Sequence, residues 1–458
     1  MSRQSSRRVK VAIDLTPMQP GGENGGAKRL VLTLLGEFSR RRSDQFEYLI
    51  ITDEWNHDES LEFSSENITC LSRDEIFSGS IKTKRYSWNL GLIKLNFASI
   101  WGKFRHSIGK YIQKIELKLI TLDLCLNSSE ILFWKTLSRL IKLVSFYLSF
   151  MSELLCRSKV LQLEQGVELL FCPFSSPSFA EKDLPLVAVV YDLQHLDMPQ
   201  FFSLRERANR SRFLEKLLNK GNQIICISNF TQESYIHYFK ANPQQILSVP
   251  VCIHERLEHQ SQQKVDSTLN KLGIGGKSYL FFPANFWPHK NHRTLLEAYK
   301  IYQDSHVNDA ADLVFTGALK SGQKVIESLV SQLGLSSNIH FMGFLTESDL
   351  IAVWQGCQGL IFPSLYEGFG IPLLEAMWFK KPVACSRVGS LPEIGGDAVI
   401  YFDPTKPAEI SQAMACITHN QVLIADLITR GTKQLKNFNQ SAMADQYMDI
   451  FMSALDNR

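Results

Sequence analysis

Short apolar runs alternate with helix-like runs along most of this sequence, and this alternation limits the folds available to it. Each apolar run is followed by a loop and then by a run with helical periodicity. The runs predicted as strands lie at 9–15, 47–52, 167–171, 186–191 and 223–228, and then at 279–283, 312–316, 338–342, 359–363, 382–385 and 398–402. Strands that alternate with helices form parallel sheets covered on both faces. The chain is therefore predicted to be an α/β protein.

Two domains are predicted, because 458 residues exceed what one hydrophobic core usually supports. A polar stretch at about 255–275, closed by glycines, separates the two halves of the alternation. The predicted domains cover 9–255 and 277–435, as two similar α/β units that face one another. A C-terminal helix at 436–458 follows, and one option is that it crosses back to the first domain.

The composition is that of an ordinary soluble globular protein, with 45% hydrophobic and 21% charged residues. The nine cysteines are scattered and form no C-x-x-C pair, which is typical of buried thiols in a reducing compartment. No apolar signal region precedes residue 9, so a cytoplasmic protein is expected. The net charge of +3 argues against bulk nucleic-acid binding.

One segment, 81–160, carries 14 Lys and Arg residues against 4 Asp and Glu residues. It is predicted to be a helical insertion in the first domain. On a helix at about 130–155, Lys135, Arg139 and Lys142 share one stripe beside apolar residues, which is the profile of a helix lying in a membrane interface. The alternative is that the insertion packs on the first domain and its lysines are only solvated. Peripheral contact with the inner face of the cytoplasmic membrane is thus one of two open interpretations.

The motif most informative about function is Tyr-Glu-Gly-Phe-Gly-Ile-Pro-Leu-Leu-Glu at 366–375, directly after a predicted strand. Its glycines allow backbone N–H groups to approach a ligand, and Pro372 suits the start of a helix. A helix N-terminus favours an anion such as phosphate. Glu367 in the loop and Glu375, expected in the first helical turn, can address one ligand from two sides. The alternative is that Glu375 only complements the helix dipole and the glycines only shape a turn.

Several motifs in this order resemble the E-x7-E glycosyltransferases with two Rossmann-like domains, the retaining enzymes of GT-B architecture in family 4. The resemblance covers roughly 280–405. The matching segments are 282–292 (Phe-Pro-Ala-Asn-Phe-Trp-Pro-His-Lys-Asn-His), 314–317, 339–343, 362–370, 389–393 and 395–398. The fold that it implies is two facing Rossmann-like domains.

Roles for individual residues follow from the resemblance. It places Glu367 beside the transferred sugar and Glu375 on the ribose hydroxyls. Lys290 matches the lysine that neutralises the donor diphosphate. The backbone N–H groups offered to sugar and phosphate belong to Gly368, Phe369 and Gly370.

The cationic part of the motif departs from the family pattern. Many members carry an arginine about six residues before the lysine, and this chain has Ala284 there. Either Lys320 or Arg293 supplies the second cation, or the chain belongs to a subgroup that lacks the arginine, which we favour. In that subgroup Asn285 and His289 are expected to contact phosphate.

The first half contributes a glycine-rich loop and a histidine. The loop at 20–26 resembles the family loop that approaches the donor phosphate, so Gly25 and Gly26 are expected at the donor. Tyr191-Asp-Leu-Gln-His195 resembles a segment usually written His-Asp-Leu, with Tyr191 in the histidine position. A catalytic role is therefore assigned to His195, which would bind the transferred sugar or the acceptor hydroxyl; the alternative is an ordinary loop histidine.

The resemblance implies a retaining glycosyltransferase that moves a hexose from a nucleotide-diphosphate sugar to a hydroxyl of a glycan or lipid-linked acceptor. Mannose from GDP-mannose is favoured, with rhamnose and glucose donors as rivals. No metal and no cofactor are expected. The rival functions are a catalytically silent relative that binds a nucleotide sugar, and an epimerase or phosphorylase on the same fold.

Overall fold

The computed structural model describes residues 7–19, 24–76, 161–162, 165–220, 223–317 and 321–456. The predicted helical insertion at 81–160, its basic stripe and Lys320 lie outside these ranges. So does most of the first glycine-rich loop, residues 20–23.

The first sheet has seven strands in the order β3-β2-β1-β4-β5-β6-β7, and every neighbouring pair is parallel. Its strands are β1 (Val9–Asp14), β2 (Phe46–Thr52), β3 (Ile68–Ser72), β4 (Leu169–Cys172), β5 (Leu186–Val190), β6 (Gln223–Cys226) and β7 (Ile246–Ser248). Its helices are α1 (Gly25–Arg40), α2 (His57–Leu61), α3 (Gln194–Asp197), α4 (Leu204–Lys220) and α5 (Asn229–Phe239).

The second sheet has six parallel strands in the order β10-β9-β8-β11-β12-β13. Its strands are β8 (Tyr279–Pro283), β9 (Asp312–Thr316), β10 (Ile339–Phe341), β11 (Gly359–Phe362), β12 (Val383–Ser386) and β13 (Ile400–Phe402). The remaining helices are α6 (Gln262–Lys271), α7 (His292–Ser305), α8 (Ser321–Gln332), α9 (Glu347–Gly356), α10 (Ile371–Trp378), α11 (Leu391–Gly395), α12 (Pro407–His419), α13 (Gln421–Gln434) and α14 (Gln440–Asp456).

The central strands are buried on both faces, as their continuous apolar sequences require. All five residues of β5 and all four of β11 are buried. Helices cover both faces of each sheet and bury one apolar side, as α1 does with Leu30, Leu34 and Phe38. The two parallel sheets confirm the predicted α/β class with two Rossmann-like domains.

The C-terminal helix α14 packs on the first sheet, although it follows the second domain in sequence. The ring of Phe451 contacts Phe38, Phe46 and Phe171 at centroid distances of 5.8, 6.3 and 5.1 Å. Arg41 in the loop after α1 forms an ion pair with Asp445 of α14. The chain therefore passes twice between the domains, once at the 249–261 linker and once before α14.

Most predicted strands lie within two residues of the observed ones, but β3 and β7 were missed. Strand β3 lies at the sheet edge with one residue of five buried, and β7 has only three residues. Neither produces a long apolar run.

Among the described residues, no helix combines the length and the apolar character that crossing a membrane requires.

Candidate functional site

The loop between β11 and α10 contains the glutamate-glycine motif and ends at an abrupt helix start. Gly370 is the N-cap of α10 and has a φ of +102°, a conformation that L side chains rarely adopt. Ser390 donates from its backbone N and from Oγ to the carbonyl of Glu367 (3.2 and 3.1 Å), and from Oγ to the carbonyl of Phe369 (2.8 Å). The segment after β12 therefore holds this loop in place through the hydrogen bonds of Ser390.

Lys290 lies at the end of the short 3₁₀ turn Pro288–Lys290, between β8 and α7. The carbonyl of His289 accepts a hydrogen bond from Leu365 N at 2.7 Å. Asn291, buried and with a φ of +63°, donates from Nδ2 to the carbonyls of Pro363 and Pro404 at 3.1 and 2.8 Å. The bonds from Leu365 and to Pro363 fix the Lys290 loop to the glutamate-glycine loop, because β8 and β11 are adjacent; the bond to Pro404 ties it to the segment after β13.

The structure brings Lys290 and Glu367 into direct contact. Lys290 Nζ lies 2.5 Å from Glu367 Oε1, and the two side chains are 18% and 11% exposed. Lys290 also lies over the ring of Phe362, 5.4 Å from its centroid. A half-buried ammonium and a carboxylate thus lie side by side near the N-terminus of α10, where an anionic group with an attached sugar would meet both.

Glu375 lies one turn deeper than the sequence analysis expected. No acidic residue occupies the first turn of α10, and Glu375 is the fifth residue of that helix. Its side chain is 6% exposed and its Oε1 accepts a hydrogen bond from Arg256 Nη2 at 2.7 Å. The first-turn placement was therefore wrong, because the helix begins at Ile371 rather than nearer to the second glutamate.

Phe369 and Gly368 differ in what they can offer a ligand. The Phe369 side chain is 3% exposed and packs edge-on against Phe438, so only its backbone can face the cleft. A Cβ atom at Gly368 would collide with the carbonyl oxygen of Tyr191 in the first domain. Gly368 is thus at the contact between the two domains.

The first-half glycines reach the same place from the opposite side. Helix α1 begins at Gly25, and Asn24 at its N-cap accepts a hydrogen bond from Gln19 N. A Cβ atom at Gly26 would lie 2.5 Å from Cδ1 of Ile371, the first residue of α10. The N-termini of α1 and α10 therefore meet across the cleft.

His195 lines a pocket in the first domain, at the carboxyl end of β5. The pocket has a volume of about 280 Å³ and is also lined by Tyr191, Asp192 and Arg210. His195 is 1% exposed, and its Nε2 lies 3.3 Å from Ser211 Oγ. Burial, followed by the positive charge of Arg210, lowers the pKa of His195 to about 4. The imidazole is therefore neutral at physiological pH.

Asp192 connects this pocket to the Lys290–Glu367 pair. Burial raises the pKa of Asp192, the charge of Glu367 raises it further, and the charges of Arg210 and Lys290 lower it. The carboxyl group lies close enough to sense both members of the pair. Asp192 lies within the 191–195 segment of the sequence analysis, which predicted no role for it.

Arg256, a cation that sequence analysis did not identify, contacts Glu375. Arg256 lies in the linker between the domains, and its side chain is 16% exposed. Arg293 is exposed on α7, whereas Ala284 is buried. His289 is half-buried, and burial together with Lys290 lowers its pKa to about 3. Asn285 lies next to Ala284, whose backbone packs against Gly317.

Within the described ranges, no group of three His, Cys, Asp or Glu side chains is arranged to hold a metal ion.

Two parallel α/β domains that meet over a Lys–Glu pair and two helix N-termini have the GT-B architecture. The family described as Glycosyl transferases group 1 matches residues 265–434. The chain is 26% identical over 273 residues to the O-antigen chain mannosyltransferase B of Escherichia coli, a match that covers 58% of this chain and 69% of that protein.

Two further similarities define the extent of the resemblance. The serotype-specific mannosyltransferase WbdA of Escherichia coli is 26% identical over 254 residues, which is 54% of this chain but 31% of WbdA. The structure of Anabaena Alr3699/HepE in complex with UDP and glucose has a TM-score of 0.63 at 14% identity, covering 97% of this chain and all of that one. The predicted resemblance to glycosyltransferases of the family 4 type is confirmed, and so is the predicted fold of two Rossmann-like domains.

Proposed function

We propose that this chain transfers a mannosyl residue from GDP-mannose to a hydroxyl of a glycan or lipid-linked acceptor, with retention of anomeric configuration. The observation that supports this most is the contact between Lys290 and Glu367 beside the N-terminus of α10. Mannose is favoured because the curated relatives described above are mannosyltransferases.

In this proposal the donor diphosphate lies between Lys290 and the N-terminus of α10. It would separate Lys290 from Glu367, because a diphosphate carries more negative charge than a single carboxylate. The carboxylate freed in this way is then available to the hydroxyls of the sugar. The backbone N–H groups of Gly368, Phe369 and Gly370 complete the phosphate site, with Gly25 and Gly26 approaching from the first domain.

The ribose would lie beside Glu375, whose carboxylate is already oriented by Arg256. We propose that Asn285 borders the donor phosphates. The mechanism requires no metal ion or cofactor, since Lys290 and the helix N-terminus supply positive charge to the leaving diphosphate.

The acceptor would occupy the pocket that contains His195 and Asp192. Its hydroxyl oxygen bonds to the anomeric carbon on the face from which the diphosphate departs, and the bond from that carbon to the phosphate oxygen breaks. The hydroxyl proton passes to the departing phosphate, so the atoms balance without an external base. His195, neutral at physiological pH, is proposed to bind the acceptor hydroxyl or the transferred sugar.

A lipid-linked acceptor would place the enzyme at the inner face of the cytoplasmic membrane. We propose that residues 81–160 provide that contact through their excess of Lys and Arg. Flotation with anionic vesicles tests it: binding that falls with salt and is lost on deletion of 81–160 is expected, and salt-insensitive or absent binding contradicts it.

The proposed function is tested by sugar-nucleotide turnover in matched variants. K290A and E367A should each lower release of GDP from GDP-mannose by about 100-fold or more. The control is K300A, which removes an exposed lysine 2.7 Å from Asp304 and should leave turnover unchanged. Unchanged turnover in K290A or E367A would reject the assignment. Epimerised or phosphorolysed donor in place of a transferred sugar would favour the rival enzyme classes.

The donor base is tested by thermal shift. A ligand that binds only the folded state raises the melting temperature, so GDP should produce a larger shift than UDP or ADP at equal concentration. A larger shift with UDP would replace GDP-mannose by a UDP-sugar donor.

A further inference from the structure

The N-terminus of α5 in the first domain contacts a carboxylate from the second domain. Glu393 accepts hydrogen bonds from Asn229 N at Oε1 (3.0 Å) and from Phe230 N at Oε2 (3.1 Å). The first N–H groups of a helix have no acceptor within the helix and carry partial positive charge. A carboxylate of the opposite domain therefore satisfies donors that would otherwise face the cleft.

Side chains at the same helix end contact the loop that carries Glu367. Ser228 Oγ and Thr231 Oγ1 both donate to the carbonyl oxygen of Gly368, at 2.7 and 3.2 Å. Both residues are fully buried. Gly368 directly follows Glu367, so these bonds connect the first domain to the loop that Ser390 also holds from within the second domain.

We propose that Glu393, Ser228 and Thr231 form an interdomain clamp, which closes the cleft and sets the position of Glu367 for transfer. Glu393 is a positioning residue in this scheme, acting through α5 and the Gly368 carbonyl. The inference rests on the proposed role of Glu367 in transfer. It assigns a role to two segments, 228–231 and 389–393, that take no part in the proposed chemistry.

A purely local role for Glu393 is a poorer explanation of the same bonds. Helix α5 already has its own N-cap, since Ser228 Oγ accepts a hydrogen bond from Thr231 N at 3.1 Å. Glu393 adds acceptors for the two preceding N–H groups, and it does so from a residue 164 positions away in sequence. Its bonds exist only when the domains are in contact.

The clamp is tested in the full-length protein with E393Q and a matched control, E409Q. Glu409 also accepts a backbone hydrogen bond, from Asp403 N at 2.9 Å, but within the second domain. In E393Q, the amides of Asn229 and Phe230 should exchange hydrogen faster. Its radius of gyration in solution scattering should also increase. Its kcat should fall about 10-fold, which corresponds to about 1.4 kcal/mol, while KM for the donor is unchanged.

A second variant, T231V, keeps the clamp testable if E393Q fails to fold. T231V removes one donor to Gly368 but keeps the bonds of Glu393, and it should lower kcat in the same direction. Combined with E393Q, it should give a loss that is not the product of the single losses, because both act on one contact.

Wild-type exchange, radius and kcat in E393Q would overturn the clamp, and so would equal changes in E409Q. A stability loss without a change in exchange, radius or kcat would show a structural role only and also overturn it. The exchange and scattering measurements need no turnover. If K290A and E367A transfer sugar normally while E393Q opens the cleft, the proposed function fails and the closure device stands.

Discussion

The pairing of Lys290 with Glu367 predicts that activity and stability can be separated by two substitutions. K290A leaves the Glu367 carboxylate, 11% exposed, without its partner at 2.5 Å. Removing one member of a buried pair costs about 3 to 5 kcal/mol, and the partial exposure of Lys290 places this case near the lower end, about 3 kcal/mol. For a domain of this size, that is a fall of roughly 6 to 12 °C in melting temperature.

The double variant K290A/E367Q removes both charges and should recover most of this stability. It should not recover activity, because it lacks both the cation that we propose for the diphosphate and the carboxylate that we propose for the sugar. Melting temperatures and GDP release from GDP-mannose measure the two effects on the same samples. The control K300A breaks an exposed pair and should change stability by less than about 1 kcal/mol. A double variant that is as unstable as K290A, or that is active, would contradict this prediction.

Three further predictions concern the surroundings of this pair. G368A places a Cβ against the carbonyl of Tyr191 and should lower kcat and increase the radius of gyration. The control G36A, in an unobstructed helical position, should change neither quantity. A G368A variant with the radius of gyration and kcat of the wild type would contradict the contact between the domains. R256A leaves Glu375 buried without its cation and should lower the free energy of unfolding by about 3 kcal/mol in urea denaturation. E375Q should lower it by less. Equal losses of stability in the two variants would show that the pair is not coupled. Burial lowers the pKa of His254 from 6.5 to about 4, so the unfolded chain binds a proton first as pH falls. Between pH 6.5 and 5 this removes about 1.6 kcal/mol of stability, and H254Q should lose that part of the pH dependence; an unchanged pH dependence in H254Q would refute it.

The fold was largely predictable because parallel strands buried on both faces leave an unmistakable apolar run. The edge strand Ile68–Ser72 and the three-residue strand Ile246–Ser248 carry no such run, since most of their side chains are not buried. Their pairing depends on neighbours already in the sheet, which local sequence does not report.

The candidate site was predictable where a motif is local. The segments around Lys290 and Glu367 were each identified, and strand adjacency then brings them together across 77 positions. Arg256 lies in a linker without a motif, and its contact with Glu375 spans 119 positions. The bonds of Glu393 likewise depend on how the domains meet. The sequence therefore identified the segment 389–393 but not its contact with the N-terminus of α5.

We propose that Glu367 and Lys290 form the reaction centre of a retaining mannosyltransferase, and the anomeric configuration of the product tests this most directly. Proton NMR of wild type and E367A with GDP-mannose and mannose-containing acceptors observes the new linkage as it forms. We expect an α-mannosyl product, with the configuration of the donor, from the wild type and none from E367A. A β-linked product, or equal product from E367A, would contradict it.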